Sequence, residues 1–143
     1  DTDMELLIPD SYINITAEKI RLYKELDSID DEESIKRFIE ELEDRFGPVP
    51  EQVNELIYVV RLRIAAKERG FDKIVLKNEK MVLYFVANAL SPFYKSKRFE
   101  QIIQNVQSKD PDRYTLKDQN NRLYIVVKNV RTIKGAYNLI SKL

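Results

Sequence analysis

The reactive side chains in this sequence make a short inventory. It contains no histidine and no cysteine. The usual general base near neutral pH is therefore missing, as are the thiolates used for nucleophilic catalysis, disulfides and soft metal sites. The serines have no imidazole to activate them, so a Ser-His-acid arrangement cannot be assembled. The three glycines, Gly47, Gly70 and Gly135, stand far apart, whereas a phosphate-cradling loop needs closely spaced glycines so that backbone N–H groups can approach the anion. Carboxylates are abundant, with adjacent pairs at Glu32-Glu33 and Glu40-Glu41. On a polar helix face such pairs are solvated charges far more often than acid/base couples. Asp110 and Asp112 lack the glycine and the closing glutamate of a calcium loop. These residues point to a binding module, with no catalytic residue, cofactor or metal site expected in the chain itself.

The elements that would position the carboxylates are legible from periodicity. Met4 to Ile8 is a short apolar run closed by Pro9-Asp10, which reads as a strand and a turn. Thr16 can cap a helix to about Ser28, with Leu22, Leu26 and Ile29 at helical spacing and Ile20 and Tyr23 beside them. Asp30, followed three residues later by Glu33, forms a variant capping box. From there Ile35, Phe38, Ile39, Leu42 and Phe46 make one continuous stripe. Gly47 and Pro48 end that helix. Pro50 opens a third, striped by Val53, Leu56, Ile57, Val60 and Ile64 and ended by Gly70.

Beyond Gly70 the period shortens. Lys73–Lys77 and Met81–Val86 flank Asn78-Glu79-Lys80, and Tyr114–Lys117 and Arg122–Lys128 flank Asp118-Gln119-Asn120-Asn121, giving two expected hairpins. A helix marked by Phe99, Ile102, Ile103 and Val106 lies between them. A last helix over Thr132–Leu143 turns Ile133, Tyr137 and Ile140 to one side. The expected order is β-ααα-ββ-α-ββ-α, an α+β fold in which three amphipathic helices accompany an antiparallel, hairpin-built sheet. With 143 residues, 43% of them hydrophobic and 34% charged, we expect a single domain over 1–143. The chain opens at Asp1 rather than at a methionine, so we expect a piece of a longer protein. No apolar run reaches the ~20 residues of a membrane span, and the absence of cysteine fits a cytoplasmic setting.

Zero net charge hides an asymmetry: residues 1–71 hold 18 acidic and 10 basic side chains, and residues 72–143 hold 6 and 14. The acidic half is thus helical and the basic half α/β. Between Asp27 and Asp44 there are nine acidic residues and two basic ones. Pairs at i,i+4 such as Glu33–Arg37 and Glu41–Arg45 would account for some of them, at ~0.2–0.5 kcal/mol each. Glu41, Glu43 and Asp44 remain anomalous. They crowd the last turns of the second helix, where the macrodipole is negative and an exposed carboxylate is disfavoured by ~0.3–1 kcal/mol. Local rules broken without compensation often mark functional surfaces.

The same residues carry a resemblance. Leu7-Ile8-Pro9-Asp10-Ser11-Tyr12-Ile13, Arg21-Leu22-Tyr23-Lys24, and Glu41-Leu42-Glu43-Asp44-Arg45-Phe46-Gly47-Pro48-Val49-Pro50 resemble the C-terminal domain of the bacterial transcription-repair coupling factor (Mfd) family, as do Leu62-Arg63 and the Ala65–Gly70 helix end. These motifs cover about the first half of the chain. The resemblance implies an autoinhibitory clamp that docks on a UvrB-like N-terminal module of the same polypeptide and masks the surface that UvrA would bind. It casts Glu41 and Asp44, flanked by Glu40 and Glu43, as contacts to basic residues of that module. Pro9, Asp10, Arg45, Phe46 and Gly47 would be structural, with Phe46 anchoring the core and Gly47 capping the helix. ATP, magnesium, translocation on DNA and engagement of stalled RNA polymerase would belong to the rest of the parent protein.

Two other readings follow from the residues. A nucleic-acid module could use the basic half, with Lys95, Lys97 and Arg98 set among Phe93, Tyr94 and Phe99 as a stacking and phosphate patch, although Phe99 also falls on a helical core stripe. A purely structural scaffold domain of a larger enzyme is the other.

Overall fold

A computed structural model describes residues 1–143. It contains α1 (Thr16–Ser28), α2 (Glu32–Phe46), α3 (Glu51–Glu68), β1 (Phe71–Lys77), β2 (Lys80–Phe85), α4 (Lys97–Gln107), β3 (Tyr114–Gln119), β4 (Arg122–Lys128) and α5 (Ile133–Ile140), with a 3-10 turn at Pro92–Lys95 before α4. The fold class is α+β, with three helices, two hairpins and the intervening and closing helices in the expected order. The chain forms two compact units, Glu5–Ile64 and Asp1–Met4 with Ala65–Leu143, so the division falls inside α3.

In the helical unit the stripes read from the sequence are the core: Leu22 and Leu26, then Ile35, Phe38 and Leu42, then Val53, Ile57 and Val60 are all buried. Ile20 lies off the core and is 48% exposed, whereas Leu62, outside the α3 stripe, is 6% exposed. Two start signals are displaced. Ile15 rather than Thr16 occupies the N-cap of α1 and provides no side-chain cap. Asp31, not Asp30, caps α2 and accepts from the Ser34 N–H at 2.7 Å. The end of α1 has no basic residue in its last turn. Arg63 of α3 supplies the missing donor, reaching the carbonyls of Leu26 and Ile29 at 3.1 and 2.8 Å and so satisfying acceptors that a helix end leaves open.

Met4 to Ile8 forms no strand, contrary to expectation. The Ile8 N–H donates instead to the Tyr23 hydroxyl at 2.7 Å, and Leu7 stands 54% exposed, so the run has no sheet partner. Strand-like pairing falls one step earlier, where Thr2 bridges Leu76 in parallel fashion. The turn at Pro9-Asp10 does form, with the Pro9 carbonyl accepting from the N–H groups of Tyr12 and Ile13.

In the other unit, four strands make an antiparallel sheet in the order β1-β2-β4-β3. Both hairpins close with two-residue turns, Asn78-Glu79 and Asn120-Asn121, whose four residues all have φ between 53 and 59°. This is the doubly left-handed turn that matches strand twist, and asparagine tolerates it well. One face of the sheet carries Leu76, Met81, Leu83, Phe85, Ile125 and Val127, all buried. Phe99 of α4 meets Phe85 edge-on at 5.3 Å, and Ile102, Val106, Ile133, Ala136 and Ile140 of α4 and α5 are buried as well. Alternate residues point to the opposite face.

Two glycines have a steric requirement. Gly47 has φ 86° and ψ −170°, outside the left-handed helical cap expected of it and in a region open essentially to glycine alone. Gly70 has φ 78°, and a Cβ there would lie 2.3 Å from the Phe93 ring, whereas one at Gly47 would meet nothing within 4 Å. Gly47→Ala should therefore cost backbone strain alone, ~1–3 kcal/mol. Gly70→Ala adds a ring clash of roughly 1–3 kcal/mol more. Urea midpoints of the two variants test the ranking, and equal losses would show that Phe93 gives way freely.

An ion-pair clasp joins α1 to α2. Glu18 accepts from Arg21 at 2.5 Å and from Arg45 at 2.6 Å. Hydrogen bonds from Arg21 and then Arg45 lower its pKa to about 2. A depressed carboxyl pKa stabilises the fold above its unfolded value and loses that contribution as pH falls through the folded one. Glu18→Gln should therefore melt below wild type at pH 7, with the gap closing between pH 4.5 and about 2. A gap constant across that range, followed by circular dichroism, would show that the clasp contributes no pH-dependent stability.

Candidate protein-interaction site

The acidic residues of α2 divide into two groups with different fates. At the N-terminal end Asp31 is the cap, Glu32 pairs with Arg61 of α3 at 3.2 Å, and Glu33 pairs with Lys36 at 3.7 Å. These carboxylates sit where the macrodipole is positive, and each has a partner. The expected Glu33–Arg37 pair does not form, because Arg37 donates to the Ser34 hydroxyl instead.

At the C-terminal end Glu40, Glu41, Glu43 and Asp44 are all exposed, and none has a cation within ion-pair distance. The expected Glu41–Arg45 pair is also absent. Arg45 turns to Glu18 on α1 and lies over the Phe46 ring, 4.7 Å from its centroid. Arg21, the other nearby cation, is committed to Glu18 and Glu25, and Glu41 reaches it only through the longer-range field. The core stripe of Phe38 and Leu42 runs along the far side of the helix, so the carboxylates spread over the solvent side. They do not converge on a point that could hold a metal ion.

The neighbouring motif residues hold this helix end in place. The Tyr12 hydroxyl donates to the Gly47 carbonyl at 2.8 Å and lies 3.3 Å from that of Leu42, while the Tyr12 and Phe46 rings meet at 5.9 Å. Burial, followed by the charge of Glu43, raises the Tyr12 pKa, so the hydroxyl stays a donor. The Gly47 N–H closes the helix on the Glu43 carbonyl at 3.0 Å. Pro9 supplies the turn that delivers Tyr12, and Asp10 pairs with Lys19. The two motif blocks, distant in sequence, thus form one structural joint. Sequence reasoning assigned no role to Tyr12, Glu18, Arg21 or Arg63. Tyr12, Arg21 and Arg63 lie inside the motifs that carry the resemblance, which is the available signal; nothing local marks Glu18 as the partner of Arg45.

The alternative patch is not a stacking platform. Phe93, Tyr94 and Phe99 contact one another edge-on at 5.1 to 5.8 Å, and Phe93 and Phe99 also meet Phe85. The rings are half-buried in their own cluster, as expected for Phe99 from its helical stripe.

Comparison with known proteins bears on residues 2–96, which match the family model described as the TRCF domain. The transcription-repair-coupling factor of Borreliella burgdorferi is 35% identical over 78 residues, 54% of this chain and 7% of that protein. That of Rickettsia prowazekii is 29% identical over 86 residues, 60% of this chain and 8% of its own length. The chain therefore spans less than a tenth of these curated relatives. A crystal structure of the C-terminal domain of a transcription-repair coupling factor superposes with a TM-score of 0.74 at 17% identity, covering 99% of this chain and 93% of that one, which extends the likeness in fold beyond the family match. No helix is long and apolar enough to cross a membrane. With most of its length matched by that model, the chain belongs to the TRCF domain family.

Proposed function

We propose that this chain is the autoinhibitory protein-interaction domain at the C-terminal end of a transcription-repair coupling factor. In this reading it docks on a UvrB-like N-terminal module of the same polypeptide and masks the surface that UvrA binds. The parent protein, an ATP-dependent DNA translocase working in the cytoplasm, removes stalled RNA polymerase and recruits excision repair. The domain itself contributes contacts rather than catalysis, and ATP and magnesium serve the parent's motor.

The observation that carries this reading is the contrast along α2. Its N-terminal carboxylates are partnered, while Glu40, Glu41, Glu43 and Asp44 are exposed and unpaired at the end of the helix whose dipole they oppose. Basic residues on another module would compensate them. Charged pairs across a partly desolvated interface set register and specificity. Tethering in one chain raises effective concentration, so a modest interface can hold. A masked state favoured by ~2–3 kcal/mol would weaken UvrA binding by ~30–150-fold.

The test is the double charge reversal Glu41→Lys with Asp44→Lys in the full-length protein. Both side chains are exposed and lack ion pairs, and lysine suits a helix C-terminus, so the unfolding midpoint should hold or rise. UvrA capture in a pull-down should increase, and capture of the separated N-terminal module by the domain should fall at low salt. Unchanged UvrA capture by a folded variant would overturn the assignment.

A further inference from the structure

The sheet face opposite the buried one is also anomalous. Strand register places three rows of side chains across it. Lys73, Tyr84, Tyr124 and Lys117 form one row, Val75, Val82, Val126 and Thr115 the next, and Lys77, Lys80 and Lys128 the third. All five lysines are exposed and the other residues of these rows are half-buried, so no helix seals this side. Lys77 is tied to Asp1 at 3.0 Å, and Arg122, beside the first row, is tied to Asp72. Lys73, Lys80, Lys117 and Lys128 have no carboxylate partner.

The third row sets three cations directly opposite one another on neighbouring strands, an arrangement that destabilises a sheet. The first row centres on two tyrosines whose ring centroids lie 5.2 Å apart. Lys73 and Arg122 lie over the Tyr84 ring, 5.6 and 5.2 Å from its centroid. The Tyr124 hydroxyl donates to the Gln119 side chain at 2.9 Å, which fixes that ring without covering it with a cation.

We propose that this face is a docking surface for single-stranded DNA. Aromatic rings on central strands give base-stacking platforms that tolerate any sequence, and flanking lysines follow the phosphates. An acidic protein surface would neutralise the lysines but would leave the ordered tyrosine pair without a role. RNA would add 2′-hydroxyls that call for polar partners. Here Gln119 and the Tyr124 hydroxyl are already bonded to each other, which leaves Thr115 and the Tyr84 hydroxyl as the uncharged polar groups of the rows. This surface is independent of the acidic end of α2 and of the masking assigned to it.

The experiment is fluorescence polarisation of a short labelled oligo(dT) with the 143-residue chain, titrated across salt. Wild type should bind at low salt and weaken steeply as salt rises. Tyr124→Ala should weaken binding by roughly fivefold or more, while Tyr124→Phe, which keeps the ring, should stay close to wild type. Replacing Lys80 and Lys128 by Gln should lower the slope of log affinity against log salt by ~0.7 for each phosphate that is no longer neutralised. The same replacement should leave thermal stability unchanged or raised, because the cationic row is relieved. Circular dichroism of each variant separates weakened binding from a damaged fold. Absence of binding by wild type at low salt, wild-type affinity in a folded Tyr124→Ala, tighter binding of oligo(rU), or equal competition by polyglutamate would each overturn the assignment.

Discussion

Arg45 could in principle serve Glu41 on its own helix or Glu18 on α1, and it serves Glu18. Much of the helical unit's surface follows from that choice. Together with the Tyr12 hydroxyl on the Gly47 carbonyl, the ion pair ties the end of α2 to the segment around α1 and commits the nearest cation to a carboxylate outside the cluster. An exposed ion pair of this kind contributes little stability, because solvent and salt screen it. Its effect lies in allocation: four carboxylates are left unneutralised on a helix end that is otherwise rigidly defined. A flexible acidic tail would present the same charge without a fixed geometry, whereas here the spacing is set by helix pitch and by the joint beneath it.

The two units follow the same physical logic with opposite signs. In one, anions gather at the negative end of a helix dipole; in the other, cations stand opposite cations across neighbouring strands. Each arrangement costs the fold something that a neutral substitution would return. The α2 carboxylates have no ion-pair partner in their own unit, and in the lysine row only Lys77 has one, Asp1, while comparable charges elsewhere, such as Glu32 with Arg61 and Glu79 with Arg131, are paired.

The legibility of these features in the sequence follows the range of the interactions that make them. The stripes of α2 and α3, the two hairpins and the end of α2 at Gly47 were readable because each depends on residues a few positions apart. The strand expected at Met4–Ile8 failed because a strand needs a partner, and the Ile8 N–H found the Tyr23 hydroxyl instead. The cap at Asp31 rather than Asp30 was a one-residue choice that the Ser34 contacts decided. Of the candidate site, the exposed carboxylates were legible from the helical period. The diversion of Arg45 to Glu18 spans 27 positions and was not. The lysine and tyrosine rows were hidden for the same reason, since each row takes residues from strands that the sequence alone does not align.

The parallel bridge between Thr2 and Leu76 has a consequence for how the sheet meets its surroundings. A border strand offers unsatisfied N–H and C=O groups that can recruit another chain. Along β1 the first residues occupy part of that ladder, with the Leu76 N–H donating to the Asp1 carbonyl at 2.8 Å and the Asp3 N–H to the Leu76 carbonyl at 3.3 Å. They carry aspartates, Asp1 pairing with Lys77 and Asp3 accepting from the Asn78 N–H, so the edge is covered and its covering segment is tied to it. On the far border, β3 has charged Lys117 and Asp118 but no such cover, which makes it the side more open to strand addition and, in a misfolded ensemble, the more exposed route to aggregation.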